Sequence, residues 1–328
     1  MITLKEIARE SGVNTTTVSK ALRGAGDLNP ETARRIREKA AELGYRVRER
    51  KNGAKRIVGV ICPELMGSCY ARIASVLGAS LREHGMEMLL AVSDFDMERE
   101  ERLLESFTER NLAGIVCITE NDLRRALERV PASVPTVVVA ANYSLEDRDM
   151  ICVDEHAGMR RIVEHLTELG HRDIAFAGTG YGEKRLEYLT RELSVRGIHA
   201  PHGGVSLSGV RHSRCGYEAA SRLLEKLPLP TAIVAEYDDV ALGVLRRLGE
   251  AGLRVPEDIS VTGFDNADFC AYLPVALTSV DCHVGELCGI AVDTLLKKLE
   301  DPNYRIVQSI YVKPTLVVRD STGKVSKQ

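Results

Sequence analysis

At 328 residues and 44% apolar composition, the chain is long enough to bury two or three cores. Its charge is uneven: residues 1–59 carry fourteen Lys and Arg against seven Asp and Glu, a net +7, and the remainder sums to −10, the balance expected when only a small basic unit meets a polyanion. No apolar run approaches a signal h-region or a membrane span, which predicts a cytoplasmic protein without a membrane partner. Eight cysteines without a C-x-x-C pair read as reduced, mostly buried thiols and supply no metal spacing.

The first elements are helical. Thr3 is placed to cap a helix over Leu4–Ser11, in which Leu4, Ile7 and Ala8 share a face and Glu6 completes a capping box. Gly12 stops it. Asn14 or Thr15 caps a second helix to about Leu22, with Val18, Ala21 and Leu22 inward and Thr15, Thr16, Thr17, Ser19 and Lys20 outward. A third opens at Asn29-Pro30-Glu31 and ends at Leu43 before Gly44, and its Ile36, Ala40 and Leu43 close a three-helix core. Two short helices joined by a Gly-Val turn make a helix-turn-helix. Short hydroxyl side chains and a cation on the exposed face, here Thr15, Thr16 and Lys20, suit a recognition helix in the major groove. Residues 47–56 form a basic linker in which Arg48, Arg50, Lys51, Lys55 and Arg56, together with Arg46 before it, suit phosphates or the minor groove.

From Ile57 the pattern changes to apolar strands alternating with amphipathic helices. IVGVIC, MEMLLAV, GIVCI and TVVVA are predicted strands, with helices over 70–83, 97–109 and 122–129. After Asp154 follow a helix to Leu169, strand IAFAG, helices from Glu183 and Ser213, strand TAIVAE, a helix from Asp238, strands ISVTGF and LTSVD, a helix from His283, and strands QSIYV and TLVVR. Such alternation implies α/β architecture with parallel sheets and right-handed crossovers. His165 and His171 read as a charge partner at a helix end and a surface turn. Enzyme signatures are missing: GTGYG at 178–182 is only a loose relative of the dinucleotide fingerprint, and there is no Walker lysine, H-E-x-x-H or G-x-S-x-G. No catalytic residue, metal or cofactor is predicted.

LKEIARESGVNTTTVSKALRG and NPETARRIREKAAELGYR resemble the headpiece of the lactose/galactose-repressor family, while ELGHRDIAFAG, DDVALG and EAGLRVPEDISVTGFDN resemble its sensor domain. The resemblance covers essentially the whole chain. It implies a three-helix headpiece over 1–46 and a two-lobed, periplasmic-binding-protein-like doubly wound sensor over 57–320, followed by a tail over 321–328. Lobe one would hold about 57–153 and 283–312, lobe two 154–280 and 313–320. It further implies that Thr15, Thr16 and Lys20 face bases and that Asn14, Thr17, Ser19 and Thr32 hold phosphates, with Arg46 joining them. Tyr70, Arg185, Tyr237 and Asp265 match effector-binding positions. The implied function is a repressor that binds a pseudo-palindromic DNA operator as a homodimer under control of a small-molecule effector, a sugar or another metabolite; a tetramer stays open. A body gated by a protein partner, and an enzyme or solute receptor carrying a DNA-binding headpiece, are the alternatives.

Departures from the family pattern are informative. The linker lacks the Pro and Leu of a minor-groove hinge helix, and Glu183, Ala140 and Tyr237 stand where sugar-binding members have polar contacts. These changes point away from a simple hexose and leave a basic compound, an aromatic compound or no effector at all as the readings.

Overall fold

The computed structural model describes residues 4–15, 17, 18, 21, 29–43, 57–110, 112–139, 145–198, 203–301 and 303–325. It divides into two units, the first ending at Lys55 and the second beginning at Arg56. In the first unit helices run over Leu4–Ser11 and Pro30–Glu42. Gly12 adopts φ +69°, the left-handed turn that ends the first helix. Ile7, Val18, Ala21, Ile36 and Ala40 are essentially inaccessible, with Val13 and Leu43 packed against them. The apolar spacing thus predicts the core of this small unit. The expected contributions of Thr3 and Leu22, and the basic linker, lie outside the described residues.

The second unit holds two six-stranded sheets. The first joins β1 (Ile57–Cys62), β2 (Glu87–Val92), β3 (Gly114–Ile118), β4 (Thr136–Val139), β5 (Asp149–Val153) and β11 (Ser309–Val312), in the order β11-β5-β4-β3-β1-β2 with every pairing parallel. The second joins β6 (Ile174–Thr179), β7 (Gly204–Leu207), β8 (Ala232–Ala235), β9 (Ser260–Phe264), β10 (Thr278–Asp281) and β12 (Thr315–Val317). Its order is β12-β10-β9-β8-β6-β7, parallel except for β12 against β10. Strands β3 and β4 are buried throughout, as continuous Val and Ile runs between two helical layers must be. Two strands escape the sequence reading: DMICV and GVSL are short, and their polar or glycine ends break the apolar run.

The chain crosses between sheets three times, at Asp154, at Cys282-His283 and at Lys313-Pro314. The crossings are tied to one another: Asp154 N donates to Val312 O at 2.9 Å, and His283 Nε2 lies 3.2 Å from Thr315 Oγ1. Asp154 also caps the helix Glu155–Glu168 through Ala157 N at 2.9 Å, which fixes where the second lobe begins.

In the second lobe the helices His212–Leu224 and Asp238–Glu250 cross in direct backbone contact. A Cβ built on Gly216 falls 1.8 Å from Val240 O, and one on Gly243 falls 1.8 Å from Ser213 O. Gly216→Ala must push the helices apart, and overpacking of this kind costs about 1–3 kcal/mol. Urea denaturation of the variant should show that loss; an unchanged midpoint would mean the helices separate freely.

His171 corrects its prediction. Instead of a surface turn it is 2% exposed, with Nδ1 3.0 Å from Thr231 Oγ1 and Nε2 3.0 Å from Gly323 O. His165 is half-buried and bonds Thr322 Oγ1 at 2.9 Å. Burial lowers the pKa of both rings, so they serve as neutral ties to the C-terminal segment rather than as charge partners of a helix end. Among the described residues no helix is long and apolar enough to cross a membrane. All eight cysteines are free, and only Cys69 is not fully buried.

Candidate functional site

In the first unit Asn14 is the cap of the second helix. Its Oδ1 accepts from Thr17 N at 2.7 Å and from Thr17 Oγ1 at 2.8 Å, and Val18 N donates to Asn14 O at 3.1 Å. Thr15 is exposed, as a base-reading residue needs to be. Thr17, predicted to point outward, is instead half-buried with its hydroxyl turned onto Asn14. The third helix is capped by Asn29, whose Oδ1 accepts from Glu31 N at 2.9 Å and Thr32 N at 3.4 Å. Thr32 is half-buried. Thr16, Ser19, Lys20 and Arg46 lie outside the described residues.

In the second unit the carboxyl ends of both parallel sheets open onto one cavity of about 100 Å³, lined from both lobes. In doubly wound folds this is where ligands sit, because the crossovers leave the strand ends uncovered there. Tyr70, Arg185, Tyr237 and Asp265 all line it. So do residues that the sequence reading passed over: Glu64 and Glu120 just beyond β1 and β3, Phe95 beyond β2, Glu236 directly after β8, and Glu155, Arg211 and Tyr181.

Arg185 organises the floor. Its Nε and Nη2 donate to Glu155 Oε1 at 2.8 and 2.6 Å, Nη1 donates to Glu236 O at 2.7 Å, and its carbon Cζ lies 4.0 Å from the Phe264 ring centroid. Asp265 Oδ1 is 3.9 Å from Nη2. Burial works to lower the guanidinium pKa, but Glu155 and Asp265 outweigh it and hold the charge. Asp265 itself is pushed up to about 7 by burial, against the pull of Arg185.

Glu120 accepts from Tyr70 Oη at 2.9 Å, and burial, reinforced by Glu155, raises its pKa to about 8. Glu236 is 6% exposed, accepts from Thr179 N and, at 3.1 Å, from Thr179 Oγ1, and is raised by burial.

Links between the lobes ring the mouth. Arg211 Nη2 donates to Glu64 Oε1 at 3.1 Å, and the guanidinium packs beside the paired rings of Phe95 and Tyr181, 3.8 and 5.0 Å from their centroids. Ser68 donates to Asp239 Oδ2 from N at 3.2 Å and from Oγ at 2.5 Å, and Arg72 Nη1 donates to Asn266 O at 3.0 Å. The lobes therefore meet through polar groups around a partly aromatic cavity.

Comparison with known proteins agrees in both units. Residues 3–47 match the model of the bacterial regulatory proteins of the lacI family, and residues 163–322 match a periplasmic binding protein-like domain. The HTH-type transcriptional regulator MalR of Streptomyces coelicolor is 33% identical over 98% of this chain and 96% of its own length. The regulator reg1 of Streptomyces lividans is 32% identical with the same coverage. The chain belongs to the LacI family. Among solved structures, a complex of the transcriptional regulator CelR with cellobiose is 25% identical, covers 98% of this chain and all of its own, and superposes with a TM-score of 0.71.

As a LacI-family transcriptional regulator the chain carries the fold expected of it, a helix-turn-helix headpiece and a two-sheet α/β body. Glu183, the acid expected to replace a sugar contact, is exposed and does not line the cavity. The acids that do line it stand on other elements, Glu155 and Asp239 at helix starts and the rest beyond strand ends. Ala140 lies outside the described residues.

Proposed function

We propose that this regulator represses transcription by gripping a pseudo-palindromic operator as a homodimer, and that a small molecule held between the lobes sets the strength of that grip. The observation that carries the reading is the enclosed cavity lined from both lobes at the strand ends, with Arg185 bonded across its floor. One recognition helix reads few base pairs, so a two-fold pair of headpieces is needed to reach specific affinity. A ligand that binds one arrangement of the lobes better shifts the population toward it; a coupling of about 1–3 kcal/mol changes DNA affinity roughly 5–150-fold.

Thr15, Thr16 and Lys20 are assigned to base edges, and Asn14, Thr17, Ser19, Thr32 and Arg46 to phosphates. Tyr70, Arg185, Tyr237 and Asp265 are assigned to the effector. Selection of genomic fragments by the purified protein at near-physiological salt should return a sharp palindrome. Binding that is sequence-blind and salt-sensitive would overturn the reading. Lys20→Ala should weaken the selected operator by about 1–3 kcal/mol and blur its motif while the body melts unchanged. Unaltered binding would remove Lys20 from the base-reading set.

A further inference from the structure

Asp265 is a weakly satisfied carboxylate on the cavity wall. Its side chain is 6% exposed, and among the described residues the one hydrogen bond its carboxylate accepts comes from the Cys282 thiol at 3.6 Å. A thiol is a weak donor. Arg185 stands 3.9 Å away, beyond hydrogen-bond distance, with three of its five N–H groups donated to Glu155 and to the Glu236 carbonyl. A buried carboxylate without a strong donor is costly, and its persistence calls for a partner that is not part of the chain.

The surrounding backbone holds Asp265 where it is. It sits at φ +103°, a region L-residues seldom enter, with its N–H on Val280 O at 2.8 Å. The next two N–H groups are pinned, Asn266 N to Ser279 Oγ at 3.0 Å and Ala267 N to Asp238 Oδ2 at 2.7 Å. Asp238 is itself fully buried and also accepts from Ser279 Oγ at 2.6 Å. The loop is braced to present this carboxylate.

Charge on the lining points the same way. Acids outnumber bases six to three; Arg185 is taken by Glu155, Arg211 by Glu64, and Lys184 reaches outward to Glu187 at 3.5 Å. Arg211 nevertheless keeps Nε and Nη1 buried without an acceptor among the described residues. The open space, about 100 Å³, is smaller than the cavity of about 150 Å³ that holds a benzene ring.

We propose that the effector is a compact organic cation, with a protonated amine or amidine nitrogen seated on Asp265 and an acceptor oxygen facing the free N–H groups of Arg211. The inference rests on the reading of the cleft as the effector site. Placing a cation against Asp265 gives the carboxylate the charge-assisted donors it lacks.

The test uses the full-length protein at pH 7.5 and pairs of probes small enough for the cavity and matched in shape: ethanolamine with ethylene glycol, isopropylamine with 2-propanol, and acetamidine with acetamide, with sodium chloride as the bare-salt control. Thermal shift and titration calorimetry read binding. In at least one pair the cation should bind on the order of tenfold or more tightly than its neutral isostere. The preference should vanish in Asp265→Asn, or in Asp265→Ser if the amide does not fold, with folding checked by circular dichroism. Neutral isosteres binding as well as the cations would leave the cleft as the effector site and overturn the cation. A cation preference that survives in the Asp265 variants overturns it too. No response to any probe counts against both the cation and the cleft.

Discussion

Arg185→Met is expected to remove about 3–5 kcal/mol of unfolding free energy near pH 7, the usual result of deleting one partner of a buried charged cluster. The loss is this large because the guanidinium is only 17% exposed and serves Glu155, Asp265 and the Glu236 carbonyl at once. Methionine fills similar volume, so the effect isolates charge rather than a cavity. At roughly 2–4 °C per kcal/mol for a body of this size, the melting midpoint should fall by about 10 °C. Combining Arg185→Met with Asp265→Asn should recover part of the loss, and the double-mutant cycle measures the coupling. A loss below about 1 kcal/mol would show that the cluster is solvated and that Arg185 does not organise the cleft.

The second large effect is on pH dependence. Asp265 is raised to about 7 and Glu120 to about 8 in the folded chain, whereas an unfolded chain releases both protons near pH 4. Between these values the folded state binds more protons than the unfolded state, so stability falls as pH rises, and the whole penalty is present above pH 8. His165 and His171 act in the opposite sense, since their lowered pKa values make stability rise as pH climbs toward 6.5. Above 6.5 the histidine contribution is complete and the carboxyls alone remain. From pH 6.5 to 8 the unliganded protein should lose about 2 kcal/mol, a drop in midpoint of roughly 4–8 °C.

Glu120→Gln should flatten most of that slope, because glutamine still accepts from Tyr70 Oη but does not ionise among Glu155, Glu236 and Arg185. A slope unchanged in Glu120→Gln would place Glu120 in water. Both variants can be melted in the same buffers used for probe binding, which separates loss of fold from loss of ligand.

Much of this molecule was legible before its coordinates. Ile7, Val18 and Ile36 fall at helical spacing, and all three are inaccessible. Asn14 and Asn29 announce helix starts and do cap them. The alternation of Val-rich strands with amphipathic helices dictates parallel sheets, since such strands are covered on both faces. Local periodicity carries this information because it records which face of an element leaves water. Its limits show in β5 and β7, too short to establish a period, and in His171, whose burial depends on Thr231 and on Gly323, 152 residues further along the chain.

The cavity belongs to the second kind of knowledge. Glu64, Glu120 and Glu236 each look in sequence like an ordinary acid after a strand, with nothing adjacent to mark them, and Asp265 is singled out only by the family resemblance of its segment. Their convergence follows from the strand orders, which place the carboxyl ends of β1 and β3 opposite those of β8 and β9 across the three crossings. Sequence therefore determined the kind of protein, its two units and their cores, through patterns that act over a few residues. Tertiary structure alone decided which carboxylates share one guanidinium and which one lacks a strong donor, because desolvation and pairing depend on distances between segments as many as two hundred residues apart in the chain.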